Sequence, residues 1–218
     1  MEKFLQWLKQ FLEVVLEIIA SIRTHLPKAP AKIKTIAISS GHGLHVPGAS
    51  SVLNEVTEAR RVVRAVAERL RASGVDVAEF HDNTSRNQAD NISTIVAWHN
   101  AQDCDINLSV HFNAFQPTAA PMGTEALVVS KDTAAIASAL AEAVAAAGRF
   151  RLRHNIKPSP GAVLRNDLGF LNRTGNPAVL LEVCFVDSAA DAELYESRFD
   201  RICDAIADTL RAAGETRP

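Results

Sequence analysis

Apolar residues recur with helical spacing along the first two dozen positions of the chain. They share one broad face, while charged and polar side chains occupy the opposite face. The apolar positions are Phe4, Leu5, Leu8, Phe11, Leu12, Val15, Ile18, Ile19 and Ile22. This pattern predicts an amphipathic helix over residues 1–26. A proline-containing linker over residues 27–33 follows it, because proline cannot continue a helix.

Three interpretations of this helix, centred on residues 4–24, remain open. It packs on the rest of the chain or on a second copy, lies on a membrane surface, or is a degenerate export anchor. Lys9, Glu13 and Glu17 break the segment into apolar runs too short for a signal-peptide core or a membrane span. These charges disfavour both a cleavable signal peptide and a membrane-spanning helix. The near balance of acids and bases on the polar face weakens the membrane-surface interpretation.

Beyond the linker, short apolar runs alternate with segments of helical periodicity. The runs predict strands over residues 36–40, 75–80, 106–111, 124–130 and 178–185. Helices are predicted over residues 55–72, 90–101, 133–147 and 194–212, with Gly74 and Gly148 as stop residues. We therefore expect one α/β domain over residues 34–213, with a tail at 214–218. Its single, mostly parallel sheet would have helices on both faces.

The composition is that of an ordinary globular protein, and its net charge and cysteine spacing disfavour some classes of binding partner. The chain has 218 residues, with 47% hydrophobic and 22% charged residues, which is ordinary for a globular protein. A net charge of −2 argues against a general electrostatic grip on nucleic acid. Cys104, Cys184 and Cys203 are widely spaced and form neither a zinc-binding cysteine pattern nor a disulfide framework.

Two histidines stand at the predicted carboxyl ends of strands. His42 lies between two glycines after the first strand, and His111 ends the strand that begins at residue 106. The ends of parallel strands lie on one edge of a sheet, where open α/β folds place their ligands. The two imidazoles are therefore expected to converge. A histidine at a strand end can also be a purely structural, hydrogen-bonded group.

Two glutamates accompany these histidines. Projected at about 100° per residue, Glu55 falls near the apolar stripe of its helix, whereas Glu58 points away from it. Glu55 then faces the sheet beside His42, although a first-turn acid is also favoured by the helix dipole. Glu182 interrupts the apolar strand at 178–185. Because an unpaired buried carboxylate is unfavourable, Glu182 is either a structural ion-pair partner or a functional acid/base.

Together these four residues suit hydrolysis of an amide. His42, Glu55 and His111 would hold one catalytic Zn²⁺ ion and leave a fourth position for water, as catalytic sites with two histidines and a glutamate do. Zinc lowers the pKa of that water and polarises a carbonyl group. Glu182 would take the proton from the water and pass it to the leaving amine.

Residues 34–213 resemble the type-3 catalytic domain of the zinc-dependent N-acetylmuramoyl-L-alanine amidases. The matching segments are SGHG at 40–43, Glu55 with Leu70 and Gly74 at helical spacing, LSVHFNA at 108–114, GTE at 123–125 and PAVLLEVCF at 177–185. The resemblance implies that His42, Glu55 and His111 are zinc ligands and that Glu182 is the catalytic glutamate. It also implies cleavage of the amide between the lactyl group of N-acetylmuramic acid and the L-alanine of the stem peptide.

Four further residues are expected along the substrate groove. Asn113 and Glu125 belong to matching segments, and Glu125 fits a groove residue better than a metal ligand. Arg153 and Lys157 resemble family positions near the groove, where they would meet peptide carboxylates. A solvated basic loop is the alternative for this pair.

Several positions depart from the family pattern. Before the Gly-His-Gly triplet at 41–43, Ser39 and Ser40 stand where the family usually has an acid or asparagine, and Leu44 replaces a glycine after the triplet. His99 stands in a segment where an arginine is usual, and Ser188 replaces an asparagine. His45, three residues from His42, is a candidate substitute ligand or a plain loop residue.

The leading hypothesis is therefore a peptidoglycan amidase that acts at the cell wall or in the periplasm. The absence of a clear cleavable signal peptide leaves the export route open, as for an endolysin. One alternative is a zinc peptidase or deacylase that acts on another small amide. The other is a non-catalytic cell-wall-binding module, which the complete set of four residues disfavours.

Overall fold

The computed structural model describes residues 33–153, 155–156 and 159–215. The predicted helix at 1–26, residues 27–32 of the predicted linker at 27–33, Lys157, and residues 216–218 of the predicted tail at 214–218 lie outside the described residues. The strands are β1 (Thr35–Ser40), β2 (Asp76–Phe80), β3 (Ile106–Asn113), β4 (Glu125–Val128), β5 (Asn155–Ile156), β6 (Ser159–Pro160), β7 (Ala162–Leu164) and β8 (Ala178–Phe185). The helices are α1 (Glu55–Ala72), α2 (Gln88–Asn100), α3 (Ala134–Gly148), α4 (Gly169–Arg173) and α5 (Ala189–Glu215), with a 3₁₀ turn at Lys131–Thr133.

Six strands form one sheet in the order β2-β1-β3-β8-β4-β7. The first four strands in this order are parallel to one another, and β4 pairs with β8 in antiparallel fashion. β7 is parallel to β4. The prediction of a mostly parallel sheet is confirmed, and β4 and β7 are the strands that run in the opposite direction. β5 and β6 form a separate two-stranded ribbon.

Helices cover both faces of the sheet, as predicted. On one face α1, α3 and α5 enclose the larger core, which includes Ile38, Leu70, Leu108, Leu140 and Leu181. On the other face α2 and α4 cover a smaller cluster. Alternate residues of β3 and β8 therefore reach different layers. The even-numbered apolar residues of β3 enter the large core. Its polar residues lie on the opposite face, where Asn107 contacts His99 of α2.

Side-chain caps begin the helices that flank the site. The Asn54 side chain accepts a hydrogen bond from the Thr57 amide at 3.0 Å, which fixes the first turn of α1. Asn87 caps α2 in the same way through the Asp90 amide, at 2.9 Å. The cap on α1 makes Glu55 the first helical residue, so the carboxylate starts at the sheet edge.

Some predicted boundaries were wrong for identifiable reasons. α5 begins five residues before the predicted start, because the Ser188 hydroxyl accepts a hydrogen bond from the Asp191 amide and caps the helix. Gly148 is the last residue of α3, and Arg149 adopts the left-handed conformation after it, with φ of 56°. Gly148 has a packing role, since a Cβ there would meet the Phe150 ring at 2.3 Å. The short elements β7 and α4 were not predicted at all.

Among the described residues, no helix combines the length and the apolar character needed to cross a membrane.

Candidate metal centre and active site

Three predicted ligands converge where β1, β3 and α1 meet. His42 Nε2 lies 3.3 Å from Glu55 Oε1, and His111 Nδ1 lies 3.1 Å from the same oxygen. The two imidazole rings are edge to face, with centroids 5.1 Å apart. One ligand atom from each residue lies within 4.8 Å of the other two. Two imidazole nitrogens and a carboxylate oxygen at this separation fit a single divalent cation of the zinc type.

Backbone amides hold the Glu55 carboxylate in place. Oε1 accepts a hydrogen bond from the Phe112 amide at 3.2 Å, and Oε2 accepts one from the Ala49 amide at 2.9 Å. Burial by itself would raise the pKa of Glu55, but hydrogen bonds and positive charge from His111 and His42 bring it well below its usual range. Glu55 is therefore ionised at neutral pH, as a metal-ligating carboxylate must be.

Close packing of glycine backbone keeps the ligand side chains together. A Cβ on Gly41 would lie 1.9 Å from His111 Nε2. Gly48 has φ of +71°, and a Cβ there would lie 2.4 Å from Glu55 Oε2 and 2.7 Å from His42 Cδ2. Only glycine gives both the space and, at position 48, the backbone conformation.

Glu182 lies beside the three ligands in the register of the sheet. It pairs with His111 on β3 and with Glu125 on β4, so these three side chains stand at one level across neighbouring strands. Its Oε2 is buried and has no hydrogen-bond partner among the described residues. Burial, together with the charges of Glu55 and Glu125, raises the pKa of Glu182 well above its usual range. The described residues therefore provide no counter-ion in contact with this oxygen, so the ion-pair interpretation has no support there.

The predicted groove residues form a connected group. Asn113 Nδ2 donates to Glu125 Oε1 at 2.8 Å, and Arg153 Nε lies 3.5 Å from the same oxygen. The Arg153 guanidinium also stacks over the Phe185 ring, with 4.7 Å to its centroid. Asn113 and Glu125 line the cavity described below, whereas Arg153 supports Glu125 from outside it. A substrate-binding role for these residues, and for Lys157 outside the described residues, stays a prediction.

A cavity of about 360 Å³ opens above the metal-ligand cluster. It extends from His42 and Ala114 to the cover formed by α2 and α4, where Ile92 and Phe170 line it. Arg165, which follows β7, also lines it. Sequence reasoning missed Arg165. The three-residue strand before it is too short to show a period, and its place in the sheet depends on pairing with β4.

Two of the unusual flanking residues, Ser39 and His99, contact each other. His99 is fully buried beneath the sheet, where Nδ1 lies 2.7 Å from Asn107 Oδ1 and Nε2 lies 2.8 Å from Ser39 Oγ. Burial lowers the pKa of His99 to about 4, although the hydrogen bond with Asn107 acts to raise it. His45 is exposed and lies outside the three-residue metal-ligand cluster. Neither histidine lines the cavity.

The fold and this cluster define a class of protein. It is an α/β domain with two histidines and a glutamate at the carboxyl edge of parallel strands, the donor set of hydrolytic zinc sites.

The family model described as N-acetylmuramoyl-L-alanine amidase matches residues 36–212, and the chain belongs to this family. A Clostridium perfringens relative, named as an uncharacterized 38.4 kDa protein, is 27% identical over 166 residues. That match covers 75% of this chain and 46% of the relative, so the chain spans about half the relative's length.

Two solved structures share the fold of this chain. The catalytic domain of the CD27L endolysin targeting Clostridia difficile matches with a TM-score of 0.68 and 22% identity, over 81% of this chain and 96% of that one. The catalytic domain of CwlV, an N-acetylmuramoyl-L-alanine amidase from Bacillus (Paenibacillus) polymyxa var. colistinus, matches with a TM-score of 0.69 and 21% identity. This second match covers 84% of this chain and 99% of that chain. At these identities the likeness supports the α/β fold itself.

Proposed function

We propose that the chain is a zinc-dependent hydrolase of peptidoglycan. It cleaves the amide between the lactyl group of N-acetylmuramic acid and the L-alanine of the stem peptide. The observation that carries this proposal is the convergence of His42, Glu55 and His111 beside Glu182 in one cavity. Membership of the amidase family supports the choice of substrate.

His42, Glu55 and His111 would hold the zinc ion. Their three ligand atoms lie at one end of the cavity, and a zinc ion held by three protein ligands would keep a position for water. Zinc bound there would act as a Lewis acid, which polarises the lactyl carbonyl and makes a water molecule more acidic. The amide contacts to Glu55 keep its carboxylate fixed, so that little reorganisation is needed when the metal binds.

Glu182 moves the proton. It accepts a proton from the attacking water as the new carbon–oxygen bond forms, and it delivers that proton to the alanine nitrogen as the carbon–nitrogen bond breaks. The products are a lactyl carboxylate and a free L-alanine amine. A carboxyl group whose pKa is raised by burial holds the transferred proton long enough to serve as the acid in the second step.

The setting of this activity follows from the substrate. Peptidoglycan lies in the cell wall or periplasm, so the enzyme acts there, and its binding partners are the stem peptide and the glycan. The amphipathic segment at 4–24 is proposed to add membrane-surface contact or self-association, in keeping with its apolar face.

Dye release from labelled peptidoglycan, with zinc content measured on each sample, tests the proposal. Wild type should bind about one zinc ion and release dye, and a chelator should abolish release until zinc is restored. Glu55→Gln should lose zinc and activity, whereas Glu196→Gln, a substitution of an exposed helix carboxylate, should retain both.

The two alternatives give different results in the same assay. Zinc bound by wild type without dye release would indicate another small amide as the substrate. Absence of both zinc and release would contradict an enzymatic function and favour a wall-binding module.

A further inference from the structure

The cavity has two unlike halves. One half holds the metal-ligand cluster and is lined by His42, Ala49 and Ala114. The loops that contain these residues also carry exposed apolar side chains, namely Leu44, Val52 and Phe115. The other half runs beneath α2 and α4 and is lined by Ile92, Ile95, Leu127, Leu168, Phe170 and Leu180. A substrate that reaches the metal centre therefore has one end on an open surface and the other in a covered apolar channel.

Arg165 is the only lysine or arginine among the described residues that line this cavity. Its backbone amide donates to the Val128 carbonyl at 2.8 Å, which continues the β4–β7 pairing by one residue. Its Nε and Nη2 donate to the two carboxylate oxygens of Asp167, each at 2.7 Å. No partner of Nη1 is found in the described part of the chain, so one edge of the guanidinium is available to a ligand.

Strand register gives the distance that a ligand must span. Arg165 lies two strands from β8, which is about 10 Å across the sheet. It lies four residues beyond the level of Glu125 and Glu182, which is about 13 Å along the strands. The long arginine side chain closes much of this gap. The ligand group that meets Arg165 therefore lies about two residues from the scissile bond, since a peptide extends at most about 3.5 Å per residue.

The covered half suits the peptide and not the glycan. A glycan strand continues in both directions and needs an open surface, which the loops with Leu44, Val52 and Phe115 provide. A stem peptide is thin, and the methyl group of L-alanine suits the apolar lining. Its second residue, joined through the side-chain carboxyl, carries a free α-carboxylate. Glu125 and Glu182 line the same cavity, so an anionic group is favourable only where a cation offsets their charge.

We propose that Arg165 is a specificity residue that binds the α-carboxylate of the residue following L-alanine in the stem peptide. The placement of the scissile bond rests on the proposed amidase function. Asp167 orients the guanidinium from the solvent side and leaves its other edge for the carboxylate. The enzyme therefore distinguishes stem peptides with a free carboxylate at this position from those with a carboxamide.

A pair of substrates that differ only in this group tests the proposal. They are N-acetylmuramoyl-L-alanyl-D-glutamate and the corresponding D-isoglutamine compound, and kcat/KM is measured for both. Wild type should prefer the carboxylate about tenfold, the discrimination of one charge-assisted hydrogen bond at a side chain that is 42% exposed. Arg165→Gln should reduce the preference to about twofold or less, and Arg165→Lys should retain part of it.

Arg173→Gln is the matched control. Arg173 Nη2 donates a hydrogen bond to the Ser93 hydroxyl at 3.2 Å, and Arg173 does not line the cavity. Its substitution should therefore leave the preference for the carboxylate substrate intact. An equal kcat/KM of wild type for the two substrates, or an equal loss for both in Arg165→Gln, would overturn the proposal.

A binding measurement separates this proposal from the amidase function. The dipeptides L-alanyl-D-glutamate and L-alanyl-D-isoglutamine are titrated into zinc-loaded wild type and Arg165→Gln protein. Tighter binding of the carboxylate form, lost in Arg165→Gln, supports the Arg165 site even if neither muropeptide is cleaved. Equal dissociation constants in wild type contradict the site even if both muropeptides are cleaved.

Discussion

Buried His99 should make the stability of the fold depend on pH. Its ring is fully enclosed, and both nitrogens are satisfied in the neutral form by Asn107 and Ser39. Burial lowers its pKa from an ordinary 6.5 to about 4. The unfolded chain therefore takes up a proton at a higher pH than the folded chain does. The contribution to stability is complete above about pH 6.5 and is lost as the pH falls toward 4.

The size of this effect follows from the shift. A difference of about 2.5 pKa units corresponds to about 3 kcal/mol of unfolding free energy. Between about pH 7.5 and about pH 4.5, the loss attributable to His99 is about 2.5 kcal/mol. Over this pH interval the unfolding free energy of His99→Gln should therefore fall by about 2.5 kcal/mol less than that of wild type. This difference does not depend on how much the substitution destabilises the protein at neutral pH.

Urea unfolding of metal-free protein across this pH range measures the difference. Metal-free protein is used so that no proton uptake is linked to metal release. The other histidines contribute equally to the pH dependence of both proteins, so their effect drops out of the difference. His45→Gln is the control, because His45 is exposed and its substitution should leave the pH dependence of stability unchanged from wild type. Parallel stability curves for wild type and His99→Gln would refute the reasoning. If His99→Gln does not fold, a histidine NMR titration of wild type reads the pKa of His99 directly, and a value near 6.5 would refute it equally.

Three further substitutions test the site and the core. Glu182→Gln should lower the rate of peptidoglycan hydrolysis by about 10²–10⁴-fold with unchanged zinc content, and loss of zinc would instead assign Glu182 to the metal. Gly41→Ala should weaken zinc affinity about 10–100-fold in a chelator competition, because the added Cβ would meet the His111 ring; Gly175→Ala, where the nearest atom is 3.7 Å away, should not. Leu70→Ala should cost about 2–5 kcal/mol in urea unfolding, since Leu70 is fully buried, and a cost below about 1 kcal/mol would contradict its place in the core.

The cluster at the sheet edge could be predicted because each member follows a local rule. His42 follows the end of β1, His111 lies two residues before the end of β3, and the helical phase of Glu55 turns it toward them. Glu182 was identifiable as a lone acid in an apolar run. These rules place side chains relative to their own element. The parallel pairing of β1, β3 and β8 then brings them together.

Features that depend on distant pairing could not be predicted. The partnership of Glu125 with Arg153 requires the antiparallel β4 beside β8 and a bridge between Thr124 and Leu152. Arg165 enters the cavity because β7 pairs with β4, a contact that three residues of sequence do not reveal. The early start of α5 was missed for another reason, since Ser188 caps the helix through the Asp191 amide three residues on, which is a local signal that the sequence does carry.

Identification of the new amino terminus released from purified peptidoglycan tests the proposed function most directly. Digested walls are labelled at free amines, hydrolysed and analysed, with Glu182→Gln protein and chelator-treated wild type as blanks. A zinc-dependent amidase with these residues should release labelled L-alanine in the wild-type digest alone. Label on another residue, or equal L-alanine label in all three digests, would contradict it.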